Sequence, residues 1–406
     1  MSIELIFLVV GFILFVGFFG DVFFDKTKIP SILWLMLIGI TLGPITGLAD
    51  ASKFEEGATI FTTFALVYLL FEAGLNADLK RFYAAAPQGL RLSIISFILS
   101  FAAIFGVGLL LRLGLVPSLI LGAILGDLSQ AAVIPLLKRI KVEERTRLSL
   151  IFDSAFSDVL CILTAVTIVD IAVRETVSVG GVISGFLASF LIAVFLGGLG
   201  GLLWARVAAS SLMKYGNFYL MTLAVMLILF SLTSFVNANG AIACLVFGLV
   251  IGNSKRLSDK QESLELISGE GREFYSEISF FITAFFFVYL GMSISFSEMG
   301  SFLVGLLLVV VLFLIKPFSV FLAFSSDMKV RDAVITEVLI AKGLAAAVLI
   351  QFTAQQGIDG TAGLVNVALA TIFLSNVVTS IFVALVEQKK YSGMYGFLHN
   401  KYSRVK

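Results

Sequence analysis

The sequence predicts an all-α membrane protein of thirteen transmembrane helices, built as an inverted-topology repeat with two discontinuous crossing helices. Three observations carry this expectation. Of the 406 residues, 59% are hydrophobic and only 14% charged, so nearly every long segment is a candidate bilayer helix. Apolar runs of roughly 20 residues, the length that crosses a hydrocarbon core, recur from end to end. The period-two alternation of a membrane barrel does not accompany them. Lysine and arginine, finally, are concentrated in every second connection between these runs, on one side.

Marked between polar or Pro/Gly interruptions, the runs are 3–24, 29–48, 58–76, 90–113, 116–137, 146–172, 180–208, 217–236, 238–252, 273–294, 301–324, 330–353 and 362–388. The first lacks a positive leader, and Asp21 and Asp25 stand where small residues would mark a cleavage site. It is expected to be a retained helix. Of the 28 Lys and Arg residues, 23 lie in loops after odd-numbered runs or in the tail, against 3 on the other side (Lys53, Arg112, Arg174). The remaining two, Lys316 and Lys342, fall inside spans. The positive-inside rule then puts the N-terminus outside and the C-terminus in the cytoplasm.

Two pairs of stretches look alike. The second run holds 38-IGITLGP-44 and the ninth 247-FGLVIGN-253, both with Gly-x-x-x-Gly; the third holds 67-VYLLFEAGL-75 and the tenth 288-VYLGMSI-294. The offset is seven helices each time. Because seven is odd, the second copy enters the membrane from the opposite face, relating helices 1–6 to 8–13 by inverted topology.

Net charge +1 argues against nucleic acid as a partner. Cys161 and Cys244 lie within apolar runs and read as small buried hydrophobes. The single histidine, His399, sits in the tail, so proton chemistry in the membrane falls to carboxylates and lysines.

The ionisable residues within spans are Glu72, Asp127, Asp153, Asp158, Lys316, Glu337 and Lys342. Each costs about 3 kcal/mol at mid-bilayer unless paired or wetted. In the fifth run, 122-GAILGDLSQAAVIP-135, glycines weaken the helix while Asp127, Ser129 and Gln130 offer oxygens, the pattern of a broken helix that reaches a cation. Its partner at offset seven, 336-TEVLIAKGLAAAVL-349, carries Lys342 beside Gly343. Asp127 and Lys342 suit the neutralisation of half-helix ends. In the sixth run, 153-DSAFSDVL-160, five residues turn Asp153 about 140° away from Asp158. They are expected to do different jobs: Asp158 with Ser157 faces the broken fifth helix, and Asp153 pairs with Lys316 as a structural ion pair. Glu72 and Glu337 are accessory candidates.

The stretch from Ser129 to Asp158 resembles the monovalent cation:proton antiporter superfamily, in particular the branch whose sixth helix carries E-S-L-x-N-D. Laid on 153-DSAFSD-158 without a gap, that motif puts its glutamate on Asp153, its asparagine on Ser157 and its ion-binding aspartate on Asp158. The stretches 137-LKRIKVEE-144, 69-LLFEAGLNADL-79 and 341-AKGLAAAV-348 are similar to the family as well, with Lys342 where the family has arginine. Where the family has Thr-Asp-Pro in helix 5, this chain has Leu128, Ser129 and Gln130, so either Ser129 supplies a neutral oxygen or Asp127 replaces the missing carboxylate. A neutral residue before the aspartate implies electroneutral exchange in this family, whereas a lysine such as Lys316 resembles the electrogenic branch.

The resemblance implies a secondary antiporter, not an enzyme, that exchanges Na⁺, K⁺ or Li⁺ for H⁺ by competition at Asp158. Ser157, Ser129 and Asp127 would be the further site residues, with the monovalent cation itself as the metal and no cofactor. It also implies a scaffold and homodimerisation part at about 1–80 and 217–294, an ion-transport core at about 90–172 and 301–388, a linker helix at 180–208 and a cytoplasmic tail at 389–406. The tail is too short for a nucleotide-binding regulatory domain, and the expected location is a prokaryotic cell membrane. A cation channel or ion-coupled symporter on the same architecture is the alternative. An intramembrane aspartyl protease is excluded because Ile124 breaks the Gly-x-Gly-Asp motif before Asp127.

Overall fold

Apolar runs in a bilayer have no water to satisfy their backbone groups, so helices are the expected outcome, and the computed structural model of the chain is all-helical among its described residues. Those are 7–8, 11–19, 31–48, 55–77, 87–137, 140–173, 179–210, 217–254, 269–294, 299–324, 328–361 and 363–387. The tail from 389, with His399, lies outside them, as does much of the first run. Residues 11–19 are helical. The labelled helices are α1 (Ser31–Ile40, continued by a π turn Thr41–Ile45), α2 (Glu55–Asn76), α3 (Pro87–Leu110), α4 (Leu115–Ile124), α5 (Gln130–Leu137), α6 (Glu144–Val173) and α7 (Val179–Ser210). They continue with α8 (Phe218–Phe235), α9 (Gly240–Gly252), α10 (Gly269–Ser293), α11 (Met299–Ala323), α12 (Val330–Val338), α13 (Leu344–Gln355) and α14 (Leu364–Glu387).

Eight of the described helices are long and apolar enough to cross a membrane: α2, α3, α6, α7, α8, α10, α11 and α14. The apolar stretch 116–137 is not one helix but α4 and α5, and 330–353 is α12 and α13. Many large apolar side chains face outward, among them Leu110, Phe195 and Phe235. That is the surface a lipid solvent accepts and water would not.

The chain divides into two compact units, one of Met1–Thr59, Ala86–Ile168 and Phe281–Lys406, the other of Ile60–Ala85 and Val169–Phe280. In the first, α11 packs against α3 and α14, and α4 against α3. Its core gathers Leu92, Leu128, Leu150, Val320, Ile335 and Val383 from α3, the α4–α5 connection, α6, α11, α12 and α14. Small residues let backbones meet: a Cβ on Gly39 would lie 2.1 Å from the Val288 carbonyl oxygen, and one on Gly291 2.3 Å from that of Met36. In the second unit α9 packs along α7 and α8, with the Asn239 side chain capping α9 by accepting from the Ile242 amide (3.1 Å). Here a Cβ on Gly74 would lie 2.1 Å from the Leu245 carbonyl oxygen, and one on Gly248 2.1 Å from that of Phe71. Tyr68 completes this region by donating its hydroxyl to the Tyr275 carbonyl at 2.5 Å.

Backbone cannot give way as a side-chain tip can, so these glycines tolerate no methyl group. Gly248→Ala is expected to lower the thermal midpoint of the detergent-solubilised protein, at an overpacking cost of about 1–3 kcal/mol. Gly106→Ala in α3, where nothing lies within 4 Å of the added Cβ, should leave the midpoint unchanged or raise it, since alanine is the better helix former.

Candidate functional site

Breaking a helix inside a bilayer frees amides and carbonyls that lipid cannot satisfy. α4 ends at Ile124 and α5 begins at Gln130; α12 ends at Val338 and α13 begins at Leu344. The two unwound segments meet, the Ser129 amide donating to the Ala341 carbonyl at 2.9 Å. Gly343 makes the approach possible, because a Cβ there would lie 2.8 Å from Ser129 Oγ. Polar side chains on two neighbouring helices satisfy further groups. From α6, Ser157 Oγ accepts from the Leu128 amide (3.0 Å) and donates to the Ser154 carbonyl (3.3 Å). From α14, Ser375 Oγ accepts from the Lys342 amide (3.2 Å), Thr379 Oγ1 accepts from the Ile340 amide (3.3 Å), and Asn376 Nδ2 donates to the Lys342 carbonyl (2.9 Å).

The charges sit around this meeting point. Lys316 Nζ on α11 lies 3.1 Å from Asp153 Oδ2 and also donates to Ser96 Oγ at 3.2 Å. The side chains of the pair are 7% and 0% exposed, burial that an isolated ion would not survive in charged form. Lys342 Nζ donates to the Asp127 backbone carbonyl and lies 3.9 Å from Asp127 Oδ1. Its ammonium thus meets a carbonyl freed beyond the end of α4, where the half-helix is negative. Asp153 Oδ1 makes no hydrogen bond among the described residues.

Between these groups is a cavity of about 10 Å³ whose polar lining is Ser96, Ser100, Asp127, Asp153, Ser157, Lys316 and Lys342, joined by Gly126, Leu128, Leu339 and Ile340 of the unwound segments. That is room for about one water molecule. Two carboxylates and two ammoniums ring it, so the lining is neutral when all four are ionised. Asp153 and Ser157 face it together because four residues bring them to one side of α6. Asp158, one residue on, is half-buried and outside the lining. It remains near: Cys161 Sγ donates to the Ile124 carbonyl at 3.3 Å, and both Asp127 and Asp158 lie within electrostatic reach of that thiol.

The other residues singled out from the sequence are dispersed. Ser129 is buried outside the lining, its Oγ accepting from the Ala132 amide at 3.3 Å. Glu337 is fully buried in α12, also outside the lining. Glu72 belongs to the second unit. Sequence reasoning missed Ser96 and Ser100 on α3 and the α14 trio. The available signal was polar residues at helical spacing, 93-SIISFILS-100 and 375-SNVVT-379, in otherwise apolar runs. Beyond the spans, Lys329 Nζ lies 2.9 Å from Glu143 Oε1, a hydrogen-bonded pairing that holds the exposed ammonium above the usual lysine range. The Glu143 amide in turn donates to Asp332 Oδ2 at 2.9 Å, tying the loop before α6 to the first turn of α12.

Residues 10–388 match the transmembrane sodium/hydrogen exchanger family. The chain belongs to that family. It is thus an integral membrane protein of an exchanger family. It is 24% identical over 259 residues to the K(+)/H(+) antiporter NhaP of Alkalimonas amylolytica, covering 63% of this chain and 45% of that protein. It is also 24% identical over 296 residues to the ammonium/H(+) antiporter subunit AmhT of Alkalihalophilus pseudofirmus, covering 71% and 70%. The aligned part thus spans about half the length of the NhaP relative. Among solved structures, the sodium proton antiporter MjNhaP1 from Methanocaldococcus jannaschii at pH 8 superimposes with a TM-score of 0.76 at 20% identity, over 96% of this chain and 99% of that one. The exchanger fold is therefore shared over nearly the whole length.

Removing one partner of a buried pair leaves the other charge uncompensated, at a cost of about 3–5 kcal/mol, whereas replacing both with apolar groups is close to neutral. Asp153→Asn should accordingly lower the thermal midpoint strongly, and Asp153→Leu combined with Lys316→Met should regain most of the loss. A single variant with the parent's midpoint would show that the pair contributes nothing to stability.

Proposed function

We propose that this chain is a secondary antiporter exchanging a monovalent cation, Na⁺ or K⁺ and also Li⁺, for H⁺ one for one. The observation that carries the reading is the water-sized cavity at the meeting of two interrupted helices, ringed by buried ionisable groups, in a chain of the sodium/hydrogen exchanger family. Asp158 is the exchangeable carboxylate. Its half-buried position suits alternate hydration and desolvation better than the buried Asp153, which Lys316 neutralises. Hard cations favour oxygen ligands, and Ser157, Ser129 and Asp127 lie on the elements beside it. Because the carboxylate holds either a proton or a cation, the one displaces the other.

Alternating access follows if the core at about 90–172 and 301–388 moves against a scaffold at about 1–80 and 217–294, joined by the helix at 180–208. Thirteen spans in two inverted repeats are the architecture we infer, and the glycine contacts support it. The second-run glycine meets the tenth run, and the ninth-run glycine meets the third, at the same 2.1 Å. The loop charges favour an outside N-terminus and a cytoplasmic C-terminus, and the scaffold would form a homodimer in a prokaryotic cell membrane.

Asp158→Asn in everted vesicles is expected to abolish cation-driven proton movement; exchange that survives it removes Asp158 from the mechanism. Competition also fixes a sign. As pH falls, protons occupy more of the site, so the apparent KM for the cation should rise about tenfold per pH unit on the acid side of the carboxylate's titration. Cation uptake without any proton movement would instead make the chain a channel.

A further inference from the structure

The polar residues of α14 repeat those of α6. In α6, 156-FSDV-159 carries Ser157 and Asp158; in α14, 374-LSNV-377 carries Ser375 and Asn376. The two serines bond alike. Ser157 accepts an amide from the α4–α5 break and donates to the carbonyl three residues back (Ser154, 3.3 Å). Ser375 accepts an amide from the α12–α13 break and donates to the carbonyl three residues back (Ile372, 3.0 Å). The sixth and thirteenth runs stand seven apart, the offset of the other paired stretches. Asn376 is thus the counterpart of Asp158, with an amide in place of a carboxylate.

We propose that Ser375 and Asn376 are positioning residues for Lys342: they hold the unwound 339–343 backbone so that the lysine ammonium reaches the α4 end and Asp127. Lys342 is gripped on both sides of its own residue. Its amide is taken by Ser375 Oγ and its carbonyl by Asn376 Nδ2 (2.9 Å), whose second N–H goes to the Ile372 carbonyl (2.8 Å). Both side chains are fully buried, so no water replaces these bonds when they are lost. The chemistry explains the amide. An ionised aspartate at 376 has no proton to donate to the Lys342 carbonyl, and it would add another carboxylate beside Lys342, which already faces Asp127. Asparagine donates at any pH.

Transport readouts of this role rest on the antiport reading, so the test pairs them with one that does not. In amide hydrogen exchange on the intact protein, residues 339–343 should exchange about tenfold faster in Asn376→Leu and in the milder Ser375→Ala than in the parent. Ser380→Ala, whose hydroxyl bonds only the Asn376 carbonyl of its own helix, should leave them unchanged. In proteoliposomes, Asn376→Leu should lose about tenfold or more in cation-driven proton flux. Asn376→Asp should recover flux only at acidic pH, where the introduced acid is protonated and can donate, so its profile shifts to lower pH than the parent's. A parental pH profile in Asn376→Asp, or parental protection of 339–343 in Asn376→Leu, overturns the positioning role. If the parent itself moves no protons, the antiport reading falls and the exchange rates alone decide.

Discussion

The obligation to satisfy backbone polar groups without water governs the centre of this molecule. A continuous helix meets it internally; an interrupted one does not. Here two interruptions share the burden, the amide of Ser129 serving the carbonyl of Ala341, and the rest falls to side chains that an apolar helix would otherwise lack. The serines of α6 and α14, Thr379 and Asn376 are best understood as part of the backbone's own hydrogen bonding. Gly343 belongs to the same solution, because the two segments can only meet where no Cβ intervenes.

Once the backbone is settled, charge can be held at low cost in both directions. Asp153 and Lys316 touch through one carboxylate oxygen, leaving the other unbonded, and Lys342 reaches a carbonyl more closely than it reaches the Asp127 carboxylate. A fully satisfied network would be rigid. This one keeps unspent acceptor capacity on Asp127 and Asp153 around a cavity the size of a water, among the described residues. If all four groups are ionised, the cost of burying them is offset in part by their mutual neutrality.

Much of this was legible in the sequence because each signal had a single physical origin. Apolar length located the long helices, and Gly126-Asp127 and Lys342-Gly343 located the breaks, since glycine beside charge has few other uses in a membrane. Asp153 and Lys316 were paired on the ground that neither can be buried alone. The division of labour on α6 was less accessible. The angle between Asp153 and Asp158 followed from helix geometry, but which of them faced the cavity depended on how α6 turns against α3 and α11. The structure groups Ser157 with Asp153 around that space, where sequence reasoning had grouped it with Asp158. The helical spacing of Ser96, Ser100 and Asn376 was an ambiguous signal, because a serine or asparagine in an apolar run looks the same whether it faces a break, a cavity or its own preceding turn.

An inverted repeat would tend to build every site twice, and a carboxylate at 376 would add a negative charge to a region whose two lysines already face Asp127 and Asp153. Substituting an amide for the acid in one repeat resolves the conflict. Asn376 keeps the shape and the grip on the unwound backbone while adding no charge. Two serines that bond alike then stand beside unlike neighbours, an acid on α6 and an amide on α14. On the proposed antiport reading, one ion exchanged per cycle is the stoichiometry such an arrangement favours, since the amide of Asn376 has no acidic proton to release.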